Sequence, residues 1–210
     1  MRIAVLLFPR VTALDAVGPY ELLQRLPDTS VTFVGHRRGE IRSDHGFLGL
    51  SVDRSLDELT DPDVVVVPGG PGVRPLLTDG PVLDWLRTVH TTSRFTTSVC
   101  TGSLLLGAAG LLNGLTATTH WGSMDDLAGF GATPTTRRVV EHPAERIITA
   151  AGVSSGIDMA LRLAERLTDR ITAQAQQLIV EYDPQPPFDA GSLEKAGPDV
   201  LARVRELAHG

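Results

Sequence analysis

Short runs of β-branched residues alternate along this chain with longer stretches of helical apolar spacing, which predicts an α/β fold around a mostly parallel sheet. The run Ile3-Ala4-Val5-Leu6-Leu7-Phe8 stops at Pro9 and reads as a buried first strand over 3–8. A helix follows over 19–26, with Pro19 suited to its first turn. Residues 30–35 read as a second strand. Segments 41–43 and 48–51, separated by Asp44-His45-Gly46, read as a small hairpin. Val64-Val65-Val66-Val67 is the pattern of a central strand buried on both faces, and it ends in Pro68-Gly69-Gly70-Pro71-Gly72. A helix over 81–90 leads to a strand over 94–99 and then to an apolar helical run over 104–112.

Beyond a turn at Asn113-Gly114, the pattern gives a short strand over 117–120 and a helix over 123–128. A strand pair over 139–141 and 147–150 comes next. Helices follow over 156–167, with Ser154 and Ser155 as candidate caps, and over 170–181. Tyr182-Asp183-Pro184-Gln185-Pro186-Pro187-Phe188-Asp189 is incompatible with a helix and is expected to run as extended chain. An amphipathic helix over 198–207 closes the sequence. With no internal repeat and no low-complexity linker, residues 1–210 are expected to form a single domain carrying this C-terminal segment and helix.

The junction Val99-Cys100-Thr101-Gly102 holds the chain's one cysteine, between a predicted strand and a predicted helix. A side chain at such a turn projects from the strand's carboxyl end, while the helix N-terminus aims unpaired N–H groups at it. That is the geometry of a nucleophile elbow, and it is expected to favour a thiolate. A lone cysteine is otherwise most often a small buried hydrophobe, so the rest of the site has to decide.

Composition narrows the class. The 210 residues are 42% hydrophobic and 21% charged, ordinary values for a soluble globular domain. A net charge of −6 argues against nucleic-acid binding. One cysteine excludes an internal disulfide and suits a reducing cytoplasm. The six apolar residues before Pro9 are too few for a signal segment or a membrane span. The histidines show no metal-ligand spacing, and no cofactor motif is present.

Parallel α/β sheets place ligands at the carboxyl ends of their strands. Three such ends carry informative residues: Asp15 after the first strand, Gly69-Gly70 after the valine strand, and Cys100-Thr101 at the elbow. Were these strands neighbours, an acid, a thiol and the N–H groups of Gly70 and Thr101 would converge on one pocket as nucleophile, proton donor and oxyanion hole. Taken singly, each residue stays open: Asp15 could cap a helix, Gly69-Gly70 could be a plain turn, and His120 could be an ordinary half-buried histidine.

The pattern Asp15-Ala16-Val17-Gly18-Pro19, Pro68-Gly69-Gly70 and Val99-Cys100-Thr101-Gly102 resembles the ThiJ/PfpI superfamily over nearly the whole chain. The resemblance implies a flavodoxin-like three-layer sandwich of the class I glutamine amidotransferase type. Thr118-Thr119-His120-Trp121, Gly152-Val153-Ser154-Ser155-Gly156-Ile157-Asp158 and the proline-rich segment ending Ala190-Gly191 resemble the branch holding isonitrile hydratases and the ligand domains of AraC-type regulators. Protease-like members carry His after the cysteine, where this chain has Thr101, which disfavours amide hydrolysis. Many members carry Glu where this chain has Asp15. Asp with Cys-Thr is the isonitrile hydratase combination.

That resemblance implies catalysis by Cys100, Asp15 and Thr101, with Gly69, Gly70 and His120 lining the substrate pocket. Cys100 would attack an isonitrile carbon while Asp15 delivers a proton, giving a thioimidate. Water activated by the same carboxylate would then release an N-substituted formamide. An apolar pocket is expected to raise the Asp15 pKa and couple it to the thiol. The resemblance further implies a homodimer, with Pro186-Pro187-Phe188 as its expected clasp. Two alternatives stand beside it: a glyoxalase or deglycase acting on methylglyoxal, and a ligand- or redox-sensing module. The latter would need a partner for DNA binding, since about a dozen residues follow Pro198.

Overall fold

The computed structural model describes residues 1–209. In chain order the elements are β1 (Arg2–Leu6), α1 (Ala13–Leu23), β2 (Ser30–Gly35), β3 (Gly39–Arg42), β4 (Gly49–Val52), β5 (Arg54–Ser55) and β6 (Val64–Val67). Next come α2 (Val73–Leu76), α3 (Gly80–Thr92), β7 (Phe95–Val99), α4 (Gly102–Ala108), β8 (Thr116–Ala117) and α5 (Met124–Ala128). The chain continues with β9 (Thr133–Pro134), β10 (Val139–His142), β11 (Ile147–Ala150), α6 (Ser155–Leu167), α7 (Arg170–Ile179) and α8 (Pro198–His209). Residues 1–180 and 181–210 form two compact units. In the second, the proline-rich stretch has no helix or strand and leads to α8.

Seven strands make the main sheet in the order β10-β11-β7-β6-β1-β2-β5, all parallel except β10, which pairs with β11 as an antiparallel edge. The four valines of β6 are fully buried, as expected for a strand covered on both faces. Helices α1 and α6 pack on each other, and α6 on α7, against one part of the sheet; α4 packs on β6 and β7 with α3 beside it. The result is a three-layer α/β/α sandwich. In that strand order β7, β6 and β1 are consecutive, so the three ends singled out from sequence are side by side.

Two boundaries differ from expectation in ways that matter. Helix α1 begins at Ala13, six residues before Pro19, which therefore lies inside it. An interior proline lacks the N–H that would bond the carbonyl four residues back, here that of Asp15. Packing overrides the cost: Pro19 and Gly18 lie in the contact between α1 and α6. Helix α4 stops at Ala108. Gly110 takes a left-handed φ of 81°, and the N–H groups of Gly110 and Leu111 return to the carbonyls of Gly107 and Leu106. This is a Schellman ending, and it removes Leu111 and Leu112 from the helix. Ser154 and Ser155 cap nothing with their side chains; Ser155 Oγ donates to the Gly152 carbonyl, and Arg138 donates to Ser154 Oγ. Asp158 pairs with Arg138 at 2.5 Å.

Candidate active site

Cys100 sits between β7 and α4 with φ of +57°, a left-handed conformation uncommon for any residue but glycine and concentrated at functional sites. Its neighbours hold it there. The Cys100 N–H is shared between the carbonyls of Ala150 (3.1 Å) and Ala151 (3.0 Å). The Cys100 carbonyl accepts from Ser103 Oγ and Thr119 Oγ1, each at 3.1 Å. Gly102 is required because a Cβ there would lie 2.1 Å from the Val67 carbonyl oxygen. Backbone contacts on three sides therefore fix the nucleophile's place before any substrate arrives.

Asp15 lies in the first turn of α1 and is fully buried. It caps nothing: the residue at the cap position is Thr12. Its Oδ2 accepts from the N–H of Gly69 at 2.9 Å, while Oδ1 has no partner of good hydrogen-bond geometry. The Cys100 thiol lies close enough to this carboxyl for each group to shift the other's pKa. Burial pushes the Asp15 carboxyl up to about 7, helped by the charge of Asp44 and opposed by the Gly69 N–H and the thiol. Burial also pushes the Cys100 thiol up to about 12, with the Asp15 charge adding to the rise. The N–H groups of Val153 and Thr101 at the sulfur work the other way.

The expected effect of the α4 N-terminus on the thiol is thus outweighed. Helix α4 is seven residues long and its dipole is correspondingly small, whereas desolvation of a thiolate beside a carboxylate is a large penalty. Cys100 and Asp15 form a pair that disfavours two charges and readily holds one shared proton.

The glycine loop also differs from expectation. The Gly69 N–H is used by Asp15, and the Gly70 N–H donates to Thr101 Oγ1 at 2.9 Å. Neither is left for an oxyanion, and the Thr101 hydroxyl is engaged with Gly70 rather than free for substrate. What the loop provides is support: a Cβ on Gly69 would lie 2.6 Å from Thr101 N, and Gly70 takes φ of +128° against the 10–12 segment. The N–H groups at the sulfur belong instead to Thr101 and Val153.

Val153, with φ of +24°, is a residue the sequence reading did not single out by itself, as are Ser103 and Thr119. The signal for Val153 and Thr119 lay in the quoted segments around them. His120 stands against the same loop, its Cδ2 2.8 Å from where a Cβ on Gly152 would be. Its Nδ1 accepts from the Gly122 N–H, its ring lies 5.2 Å from that of Trp121, and burial lowers its pKa. Among the described residues no three His, Cys, Asp or Glu side chains are grouped to hold a metal ion. Nor, among them, is any helix long and apolar enough to cross a membrane.

Comparison with known proteins agrees with this geometry. The chain is 45% identical over 208 residues to an isonitrile hydratase of Pseudomonas putida, covering 99% of this chain and 90% of that one. It superimposes with a TM-score of 0.93 on the crystal structure of a ThiJ/PfpI family protein from Pseudomonas syringae, at 38% identity over 99% of this chain and 86% of that one. A deglycase of Pyrococcus furiosus is more distant, 27% identical over 60% of this chain and 76% of its own length. The DJ-1/PfpI family model matches residues 1–166. With elbow, acid and glycine loop in place across that span, the chain belongs to the DJ-1/PfpI family.

Proposed function

We propose that this protein adds water to an isonitrile to give the N-substituted formamide, with Cys100 as nucleophile and Asp15 as the acid and base. The reading is carried by the Cys100–Asp15 pair, a thiol beside a carboxyl whose pKa of about 7 lets it both give and take a proton at neutral pH. The 45% identical isonitrile hydratase supports the choice of substrate class.

In the reactive form the pair holds one proton, which passes from the Cys100 thiol to Asp15 as the sulfur attacks. The sulfur forms a bond to the isonitrile carbon while Asp15 protonates that carbon, leaving a thioimidate and a carboxylate. Asp15 then takes a proton from water as the hydroxide oxygen bonds to the carbon, and passes it to the nitrogen. The hydroxyl proton returns to Asp15 as the carbonyl forms and the C–S bond breaks, releasing the formamide and restoring the pair. Thr101 acts through its N–H at the sulfur and through its hydroxyl, which fixes Gly70. His120 we assign to the substrate side, a reading supported by its approach to Gly152 beside Val153.

We assign the protein to the cytoplasm on its one free cysteine. We also propose a homodimer, supported by the exposure of Leu14 and Trp121, which adjoin Asp15 and His120 in sequence. Light scattering would return the mass of two chains, and a single-chain mass would refute it. The main test is turnover of cyclohexyl isonitrile and methylglyoxal side by side. Isonitrile consumption, lost in Cys100→Ala and Asp15→Asn, is expected. Methylglyoxal turnover without isonitrile turnover would favour a deglycase, and neither would favour a sensing role.

A further inference from the structure

Thr12 occupies the cap position of α1, yet its hydroxyl does not cap the helix. A threonine there ordinarily turns its oxygen toward the N–H of the third helical residue, which in α1 is Asp15. Instead the Thr12 hydroxyl donates to Asp44 Oδ2 at 3.2 Å, and the Asp15 N–H donates to the Thr12 carbonyl at 3.1 Å. Thr12 N–H donates to the Gly69 carbonyl at 2.9 Å, and Gly69 N–H donates to Asp15 Oδ2 at 2.9 Å. Thr12, Gly69 and Asp15 thus close a ring of three hydrogen bonds around the acid, and Asp44 grips that ring from outside through the Thr12 hydroxyl.

Asp44 is itself firmly held. It lies on the loop between β3 and β4, where its N–H donates to the Val11 carbonyl at 2.9 Å and Ser43 bridges to Val11. Its Oδ1 accepts from the N–H of the next residue, His45, at 2.9 Å. Oδ2, used on Thr12, is surplus to that local need. We propose that Asp44 is a positioning residue for Asp15, holding Thr12 and through it the orientation of the carboxyl, and supplying a fixed negative charge beside it.

This rests on the Cys100–Asp15 reading of the site. The titratable and charged groups acting on Asp15 are Cys100 from the elbow and Asp44 from the hairpin loop. The 68–72 and 151–154 segments contain no ionisable side chain. Asp44 therefore acts on Asp15 in two separable ways, by a hydrogen bond to Thr12 and by charge.

The test uses the whole protein and two readouts, isonitrile turnover and the pH dependence of Cys100 alkylation by iodoacetamide; the second needs no knowledge of the substrate. Asp44→Asn keeps an acceptor for Thr12 but loses the charge. It should move the alkylation inflection to lower pH, on the order of half a unit, while losing less turnover than Asp44→Ala. Asp44→Ala and Thr12→Val should each lower kcat by roughly tenfold, and the double variant should lose little more than either alone. An unmoved inflection in Asp44→Asn, or additive losses in the double variant, would overturn the proposal. Should Asp44→Ala not fold, Asp44→Asn and Thr12→Val decide it. Absent isonitrile turnover in the unaltered protein refutes the substrate reading, and the alkylation profile still judges Asp44.

Discussion

Gly69 donates its N–H to Asp15 Oδ2 at 2.9 Å across 54 positions of sequence, tying the turn after one central strand to the helix after its neighbour. The bond favours an ionised carboxylate, and burial outweighs it, leaving the acid at about 7. A carboxyl with a folded pKa above its unfolded value near 3.8 adds stability that is full below that value and is lost as pH rises toward 7. Asp15→Asn removes this dependence. Its melting temperature relative to the unaltered protein should therefore climb from pH 4 to pH 7 and then level off. The ceiling is on the order of 4 kcal/mol. A flat difference across that range would contradict a neutral buried acid.

The same titration should appear in catalysis. Below the Asp15 pKa the pair carries two protons and no thiolate can form without expelling one. The value of kcat/KM for an isonitrile should rise with pH through a limb near 7, where Asp15 titrates in the substrate-free enzyme. A profile level from pH 5 to 9 would mean that Asp15 does not titrate in the reactive step.

Thr101 links elbow and glycine loop through its hydroxyl. Thr101→Val leaves the half-buried Gly70 N–H without its 2.9 Å acceptor, at a cost of about 1 kcal/mol. Turnover should fall about tenfold or more as the loop carrying Gly69 relaxes, and Thr101→Ser should restore most of both. If Thr101→Val keeps full turnover, the bond from Gly70 to the hydroxyl is not what holds the loop.

Gly102 has no room for a side chain, since a Cβ would meet the Val67 carbonyl at 2.1 Å and that of Pro68 at 2.8 Å. Gly102→Ala should destabilise the protein by about 3 kcal/mol or more, measured by urea denaturation. Gly191→Ala, where a Cβ meets nothing within 4 Å, is the matched control and should change stability little.

Most of the fold was legible because the four valines of β6, the apolar first strand and the amphipathic later helices each carry a strong local pattern. The start of α1 was not, because Pro19 reads locally as a first-turn residue and only the contact with α6 lets it sit mid-helix. Cys100, Asp15 and the glycine loop were found from their places at strand ends. Their hydrogen-bond assignments were not: which N–H faces the sulfur and which is consumed by Thr101 depends on backbone torsions such as those of Gly70 and Val153. Net electrostatics was missed for a related reason, since burial of the thiol is a property of the packed molecule and not of the elbow's sequence.

Segments 9–12 and 68–72 cross at backbone distance. Thr12 N–H meets the Gly69 carbonyl, Gly72 N–H meets the Arg10 carbonyl, and a Cβ on Gly72 would lie 2.0 Å from the Pro9 carbonyl oxygen. An insertion or deletion in either segment must break this lacing, so neither can change length without dislodging the acid. Divergence in such a scaffold has to proceed by substitution at fixed length along these two segments, leaving the spacing of the reacting pair as an inherited constant.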